Sequence, residues 1–248
     1  MSSLKVEGVT KNFGGVTAVN NVTLEVNSGE RYAVIGPNGA GKSTFFNLIS
    51  AELPLTNGRI WLDNLEITDI AVHDCANLGI GRTFQRNNLF LGMTTLENVR
   101  LAVQHKVGIT RQLFRPLASY QRVNDRAAEL LAQVGLSDVA EQKVSELAYG
   151  QQRALEIALA LATEPKILLL DEPTAGMSPS ETADMVRLIQ ALPRTLTMMI
   201  VEHDMDVIFT LADRVTVLHY GEVIATGTPD EVRRHPTVRE IYLGSNDN

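Results

Sequence analysis

"GPNGAGKST", Gly36 to Thr44, decides how the rest of the chain is read. A glycine, four residues, then Gly-Lys-Ser is the spacing of a loop that wraps phosphate. The apolar run "RYAVIG" leads into it and reads as a strand, and "STFFNLIS" continues it as a helix. Strand, glycine loop and helix together are the context the pattern requires. Gly36, Gly39 and Gly41 let the main chain turn its N–H groups inward without Cβ obstruction, with Pro37, Asn38 and Ala40 completing the curl. Lys42 supplies charge for the β- and γ-phosphates, Ser43 a hydroxyl ligand for Mg²⁺, and Thr44 closes the motif.

Working outward, "ILLLDEP", Ile167 to Pro173, is an apolar strand ending in two acids. Alone such a pair is a solvated strand end; behind a phosphate loop it becomes the acidic partner strand. Asp171 is then placed to hold Mg²⁺ through water, and Glu172 to act as the base that polarises the attacking water. A Glu directly after the Asp points to hydrolysis of ATP rather than to a GTPase switch or a small-molecule kinase.

"LAYGQQRALEIALAL", Leu147 to Leu161, poses a different question. Leu155, Ala158, Leu159 and Ala162 fall at helical spacing, so a helix with a buried face begins at about Gln151. Its first turn carries Gln151, Gln152 and Arg153 and no acid, and Gly150 has no oxygen to cap the free N–H groups. Water, a nearby loop or an anion supplied from elsewhere would each satisfy that end.

Composition bounds the answer. The 248 residues, 44% hydrophobic, suffice for one large domain or a domain with an insertion. The net charge of −7, from 29 acidic and 22 basic residues, argues against a chain whose work is gripping nucleic acid. Cys75 is the only cysteine, which excludes an internal disulfide and a four-thiolate metal site and suits a reducing cytosol. "MSSLKVEGVT" lacks the apolar stretch of a signal peptide, and "ALEIALALA", "KILLLD" and "TMMIV" are too short to span a bilayer. A soluble chain is expected, docked on another protein if it works at a membrane.

Along the chain, "LKVEGV" and "VTLEV", separated by "FGGVT", read as short strands, as does "GRIWLD"; "GIGRTF" forms another, ending at Gln85. From Arg86 to about Pro165 the pattern turns helical, in "TLENVRLAV", "RAAELLAQVGL" and the helix after Gly150, with "HKVGITRQLFRPLAS" read as a loop. "KILLLD", "LTMMIVEH" and "RVTVLHY" then alternate with the helices "SETADMVRLIQAL" and "MDVIFTLA", and "GEVIATG" closes as a hairpin strand. Continuous apolar strands between helices predict a parallel sheet covered on both faces. The expected organisation is an α/β core over 1–85 and 166–248, with a helical insertion at 86–165.

"GPNGAGKST", "TFQ", "LAYGQQR", "ILLLDEP" and "VEHD" occur in one order over nearly the whole chain, and in that order it resembles the ATP-binding subunit of an ABC (ATP-binding cassette) transporter. The resemblance implies a single ABC domain over 1–248: a P-loop ATPase core with a mostly parallel sheet, an antiparallel β-subdomain, and a helical subdomain carrying the signature segment. It implies that Gln85 touches Mg²⁺ and the attacking water, that His203 contacts the γ-phosphate, and that Phe13, in "KNFGG", stacks on adenine. It sets Ala148, Tyr149, Gly150 and Gln151 in the place of the family's L-S-G-G-Q signature, which meets the γ-phosphate held by the other subunit of a dimer. Three departures stand out: Ala148 replaces the signature serine, Tyr149 replaces a glycine, and Ser178 stands where the family often has an Asp. After Gln85, the apolar Leu89, Phe90, Leu91 and Met93 either pack in a core or, by the resemblance, line a groove that receives a helix of the membrane subunit.

"RTFQRNNLF", the extended signature and "GTPDEVRRHPTVREIYLG" together look like the ATP-binding subunits of branched-chain amino-acid importers. Subunits serving urea or short amides share much of that pattern. The implied partners are a second ATP-binding subunit, identical or paralogous, transmembrane permease subunits and, indirectly, a solute-binding receptor; the implied place is the cytoplasmic face of the membrane. The competing readings explain less. A soluble ABC ATPase acting on nucleic acid or ribosomes usually carries two cassettes or a long coiled-coil insertion, plus basic segments; a lipid or lipopolysaccharide exporter subunit usually has the signature serine; and a P-loop kinase leaves the signature and His203 without a role.

Overall fold

The structure, a computed structural model, describes residues 2–83, 89–108 and 121–243. It divides into two units, Met1–Arg82 with Lys166–Glu172 and Pro193–Asn248, and Thr83–Pro165 with Pro173–Leu192.

In the first unit, alternation builds one sheet and continuous apolar runs build the other. β1 (Ser2–Phe13) turns its Leu4, Val6 and Val9 into the core, and β2 (Val16–Asn27) does the same with Val19, Val22, Leu24 and Val26. Both are 12 residues long, well beyond the short strands expected, because bulges absorb the polar interruptions between Val6 and Lys11. β3 (Arg31–Ile35) is buried throughout and enters the loop before α1 (Lys42–Ile49), whose Phe45, Phe46, Leu48 and Ile49 are covered. β4 (Asn57–Leu62) and β5 (Leu65–Glu66) complete a four-stranded antiparallel sheet in the order β2-β1-β4-β5. α2 (Val72–Leu78), unforeseen in the sequence, buries Cys75 in the same core as Phe45 and Phe46 before β6 (Ile80–Arg82). Burial pushes the Cys75 thiol up to about 11.

In the second unit, α3 (Thr95–Val107) opens on a capping box from Thr94 and Glu97. It takes in His105–Val107, expected to be loop, and stops where Gly108 turns left-handed at φ 73°. The rest of that expected loop lies outside the described residues. α4 (Gln121–Gln133) buries Val123, Ala127, Leu130 and Leu131, and α5 (Tyr149–Ala162) begins two residues earlier than periodicity suggested, with Ala148 as its extended N-cap. An apolar pattern marks the buried face and not the first turn, hence the offset.

β7 (Ile167–Asp171) returns to the first unit. α6 (Pro179–Ala191) belongs to the second, where sequence order had assigned it to the core; its first turn is hydrogen-bonded to α5. β8 (Thr197–Val201), α7 (Met205–Leu211), β9 (Arg214–His219) and β10 (Glu222–Gly227) follow in the first unit. α8 (Pro229–Arg234) and α9 (Pro236–Leu243) end the described chain; each starts on a proline, which suits a first helical position.

The six-stranded sheet runs β10-β9-β3-β8-β7-β6, parallel except for the β9–β10 hairpin. β3, β7 and β8 are buried at every position, so they carry no alternation to read. Each Val, Leu or Ile taken from water there contributes about 1.5–3 kcal/mol. Among the described residues no helix is long and apolar enough to cross a membrane.

Candidate active site

The parallel register decides which side chains meet. Val34 of β3 and Asp171 of β7 both lie opposite Val201 of β8. The chain segments leaving these three strands therefore emerge side by side: the glycine loop after Ile35, Glu172 after Asp171, and Glu202–His203 after Val201. A parallel sheet offers its ligand crevice at that edge.

The loop is shaped by close approach. A Cβ on Gly36 would stand 2.2 Å from the Leu218 carbonyl oxygen, and one on Gly41, at φ 98°, 2.3 Å from that of Ala18. No other residue fits either position without moving the main chain. Gly41 is also the N-cap of α1, with no side-chain cap and no acid in the first turn, so the helix presents bare N–H groups. Buried Lys42 donates through Nζ to the carbonyls of Gly36 at 2.7 Å and Pro37 at 3.1 Å. Burial lowers its pKa, while Glu172 and Asp171 act in the other direction. Ser43 and Thr44 occupy the next two positions of the first turn, Ser43 exposed.

Asp171 has a fully covered side chain. Nη2 of Arg82, at the end of β6, donates to its Oδ2 at 2.9 Å, while Nη1 reaches Ser50 Oγ at 2.7 Å and Glu52 Oε1 at 3.2 Å. Sequence reading did not single out Arg82: its partner lies 89 residues away and no local pattern marks it. Glu172, half-buried, holds φ at +48° and donates its N–H to the Val201 carbonyl at 2.8 Å. Left-handed backbone before a proline costs on the order of 1–3 kcal/mol and is kept where surrounding structure imposes it. His203 is 61% exposed beside the fully covered carboxylate of Glu202, which accepts the His203 N–H at 3.0 Å.

Phe13 ends β1 opposite Val16, two residues before the Ala18 that backs Gly41; its ring is half-exposed, with Lys11 Nζ 5.2 Å from the centroid. These elements supply a half-exposed aromatic ring, a tight glycine loop at a bare helix start, a cation and two acids. Among the described residues no cluster of three His, Cys, Asp or Glu could cage a metal ion. A hard cation sharing phosphate oxygens needs only the Ser43 hydroxyl and the Asp171 carboxylate, and that donor set fits Mg²⁺. Gln85, expected beside it, lies outside the described residues.

The signature residues belong to the second unit, and there the question posed by α5 has an answer. Gly150 donates its N–H to Glu181 Oε1 at 3.4 Å, and Ala148 donates its own to Gln151 Oε1 at 3.0 Å. Glu181 is itself set by Ser178, the N-cap of α6: the Ser178 N–H and hydroxyl donate to Glu181 Oε2 at 2.9 and 2.7 Å. These bonds hold the Glu181 carboxyl below its ordinary range. Ser178, read as a departure, is thus a helix cap, and Ser-x-x-Glu was the signal for it. Tyr149 turns to its own chain, donating from its hydroxyl to the Ala175 carbonyl at 3.2 Å. Leu89 is buried, whereas Phe90 and Leu91 are 58% and 49% exposed, on a loop braced by Asn98 through the Phe90 N–H and carbonyl at 2.9 and 3.1 Å.

The chain is similar to known proteins over nearly its whole length. The family described as ABC transporter matches residues 19–175, and that described as branched-chain amino acid ATP-binding cassette transporter matches residues 222–248. The high-affinity branched-chain amino acid transport ATP-binding protein BraF of Pseudomonas aeruginosa is 41% identical over 249 residues, 97% of each chain. Its Escherichia coli counterpart LivG is 41% identical over 250 residues, again 97% of each. The crystal structure of the ADP conformation of an ATP-binding cassette of an ABC transporter superposes with a TM-score of 0.86 at 31% identity, covering 98% of this chain and 99% of that one. A dimeric cassette in a post-hydrolysis state bound to ADP and Pi gives 0.76 at 30% identity, over 91% and 98%.

Proposed function

We infer the function from one premise: the chain belongs to the ABC transporter family of ATP-binding cassettes, and so is an ATPase subunit. The finer reading is an importer subunit that closes on ATP with a second ATP-binding subunit and drives separate membrane permease subunits, with branched-chain amino acids as the cargo. The observation that carries the chemistry is the gathering of the glycine loop, Lys42, Asp171, Glu172 and His203 at one strand edge. The match over 222–248 and the 41% identical relatives support the cargo.

In this reading Phe13 stacks on adenine, and the loop N–H groups from Gly36 to Thr44 hold the phosphates. Lys42 exchanges the Gly36 and Pro37 carbonyls for β- and γ-phosphate oxygens, which favour its charged form. Ser43, Asp171 and Gln85 would hold Mg²⁺, which when bound neutralises charge on those phosphates. Glu172, in its imposed conformation, takes the proton of the attacking water, and His203 contacts the γ-phosphate. Ala148, Tyr149, Gly150 and Gln151 face the partner subunit's nucleotide, with the Gln151 N–H as a donor beside the Gly150 N–H that Glu181 holds.

Phe90 and Leu91 are offered to a helix of the permease at the cytoplasmic face of the membrane, with a receptor upstream selecting the solute. Uptake in proteoliposomes holding the permease subunits, with receptor supplied, tests the assignment. ATP-driven uptake of leucine, isoleucine and valine is expected; uptake of urea or short amides instead would overturn the cargo. Phe90→Asp should cut uptake about tenfold or more while the chain stays folded, since the ring is already in water. Unfolding of that variant would return Phe90 to the core.

A further inference from the structure

Tyr149 is the departure in the signature segment that the proposed reaction leaves without a task. Its hydroxyl is doubly engaged, donating to the Ala175 carbonyl at 3.2 Å and accepting from Arg153 Nε at 3.0 Å. The Arg153 guanidinium also lies 5.3 Å from the ring centroid and pairs with the buried Glu156 at 2.9 Å. A cationic donor polarises a hydroxyl and strengthens the bond it gives in turn. A chain of contacts therefore runs Glu156–Arg153–Tyr149–Ala175, from the body of α5 to the turn that follows the catalytic strand.

That turn is short and starts from the buried Thr174. Met177 donates its N–H to the Thr174 carbonyl at 3.2 Å, and Gly176 sits at φ 77° with the Tyr149 ring across it, 3.6 Å from where a Cβ would project. From its other end, Glu181 reaches the Gly150 N–H. Residues 148–151 and 174–181 are thus fastened at two points, by a tyrosine hydroxyl and by a carboxylate.

We propose that Tyr149 is a positioning residue, which holds the 174–177 turn against the start of α5 so that both present to the partner subunit as one preset surface. This rests on the reading of Ala148–Gln151 as the segment that meets the partner's nucleotide. The aromatic side chain contributes order where the serine hydroxyl is missing: it makes no phosphate contact and instead removes a loop-ordering cost from each closure.

The test is Tyr149→Phe, which deletes the hydroxyl and keeps the ring. It is made in the Glu172→Gln background of the purified ATPase pair, so that closed dimers accumulate. The expected result is a three- to tenfold rise in the ATP concentration for half-maximal closure, seen by size exclusion, about the loss of one hydrogen bond to a polarised hydroxyl. The thermal midpoint of the isolated chain should stay within a few degrees, a split that a merely structural role would not give. Tyr149→Gly, which restores the family's residue but removes ring and hydroxyl, should shift closure at least as far. Closure at an unchanged ATP concentration in Tyr149→Phe, or tighter closure in Tyr149→Gly, overturns the positioning role alone. No ATP-driven closure with Tyr149 intact overturns the dimer reading beneath it.

Discussion

Two helix starts among the described residues contrast with four others. α3, α6, α7 and α8 are capped by the side chains of Thr94, Ser178, Asp204 and Thr228. α1 has Gly41 as its N-cap and α5 has Ala148, with no side-chain cap and no acid in the first turn. Both are read here as phosphate-facing, yet they are prepared differently. α1 sits behind a tight loop of its own, closed by the Leu218 and Ala18 carbonyls and holding Lys42 against it. α5 has no such loop; it leans on Glu181 and on Ala175 through Tyr149. On the proposed reading, one end holds a nucleotide by itself and the other is completed when a second subunit brings one.

If that contrast is right, damage at the first end should abolish chemistry, and damage at the second should change how readily the pair closes. The largest effect is expected at Glu172. Glu172→Gln keeps shape and a hydrogen-bond acceptor but takes no proton from water, so hydrolysis should fall roughly 10²- to 10⁴-fold while ATP still binds and closed dimers accumulate. Hydrolysis and dimer measured in one sample check this; a wild-type rate would remove Glu172 from the mechanism. Next comes Lys42→Ala, which takes a buried ammonium from the loop and should weaken nucleotide binding about tenfold or more by calorimetry. Near-normal affinity there would make the two ends alike and dissolve the comparison.

Ala148→Ser probes the other end and should give the smallest change. Because Ala148 is the N-cap of α5 at φ −61° and ψ 156°, the added hydroxyl can accept an N–H of the first turn. A gain of about 0.5–2 kcal/mol in the stability of the isolated chain is then expected in urea titrations, together with some tightening of the ATP-bound dimer. The cap geometry carries the first effect, and a hydroxyl restored to the signature position carries the second. Tighter closure without added stability would mean that the hydroxyl serves only the partner's phosphate.

Most of the first end was legible in the sequence. The glycine spacing fixes the loop, and "ILLLD" and "TMMIV" can be little but buried strands; that Lys42, Asp171, Glu172 and His203 share one edge comes from the strand register. The partners that hold those groups were not legible. Arg82 finds Asp171 across 89 residues, and Tyr149 finds Ala175 across 26; periodicity and capping rules see only a turn or two along the chain. The assignment of α6 to the core failed for the same reason, since sequence order says nothing of which neighbour an amphipathic face will choose. Glu181 lies between these cases: its capping of α6 was written in Ser-x-x-Glu, and its reach to Gly150 was not.

Cys75 has a practical consequence. The thiol is buried in α2 and held near 11, so at neutral pH almost none of it is thiolate and little of it can be reached by an alkylating reagent. The native chain is therefore close to silent in thiol labelling, without any cysteine having to be removed. A single reporter placed by Tyr220→Cys, at a turn position 79% exposed, would be the dominant reactive thiol of the molecule. A dye or spin label there could follow two subunits approaching one another in real time, against a background that appears only when the chain unfolds.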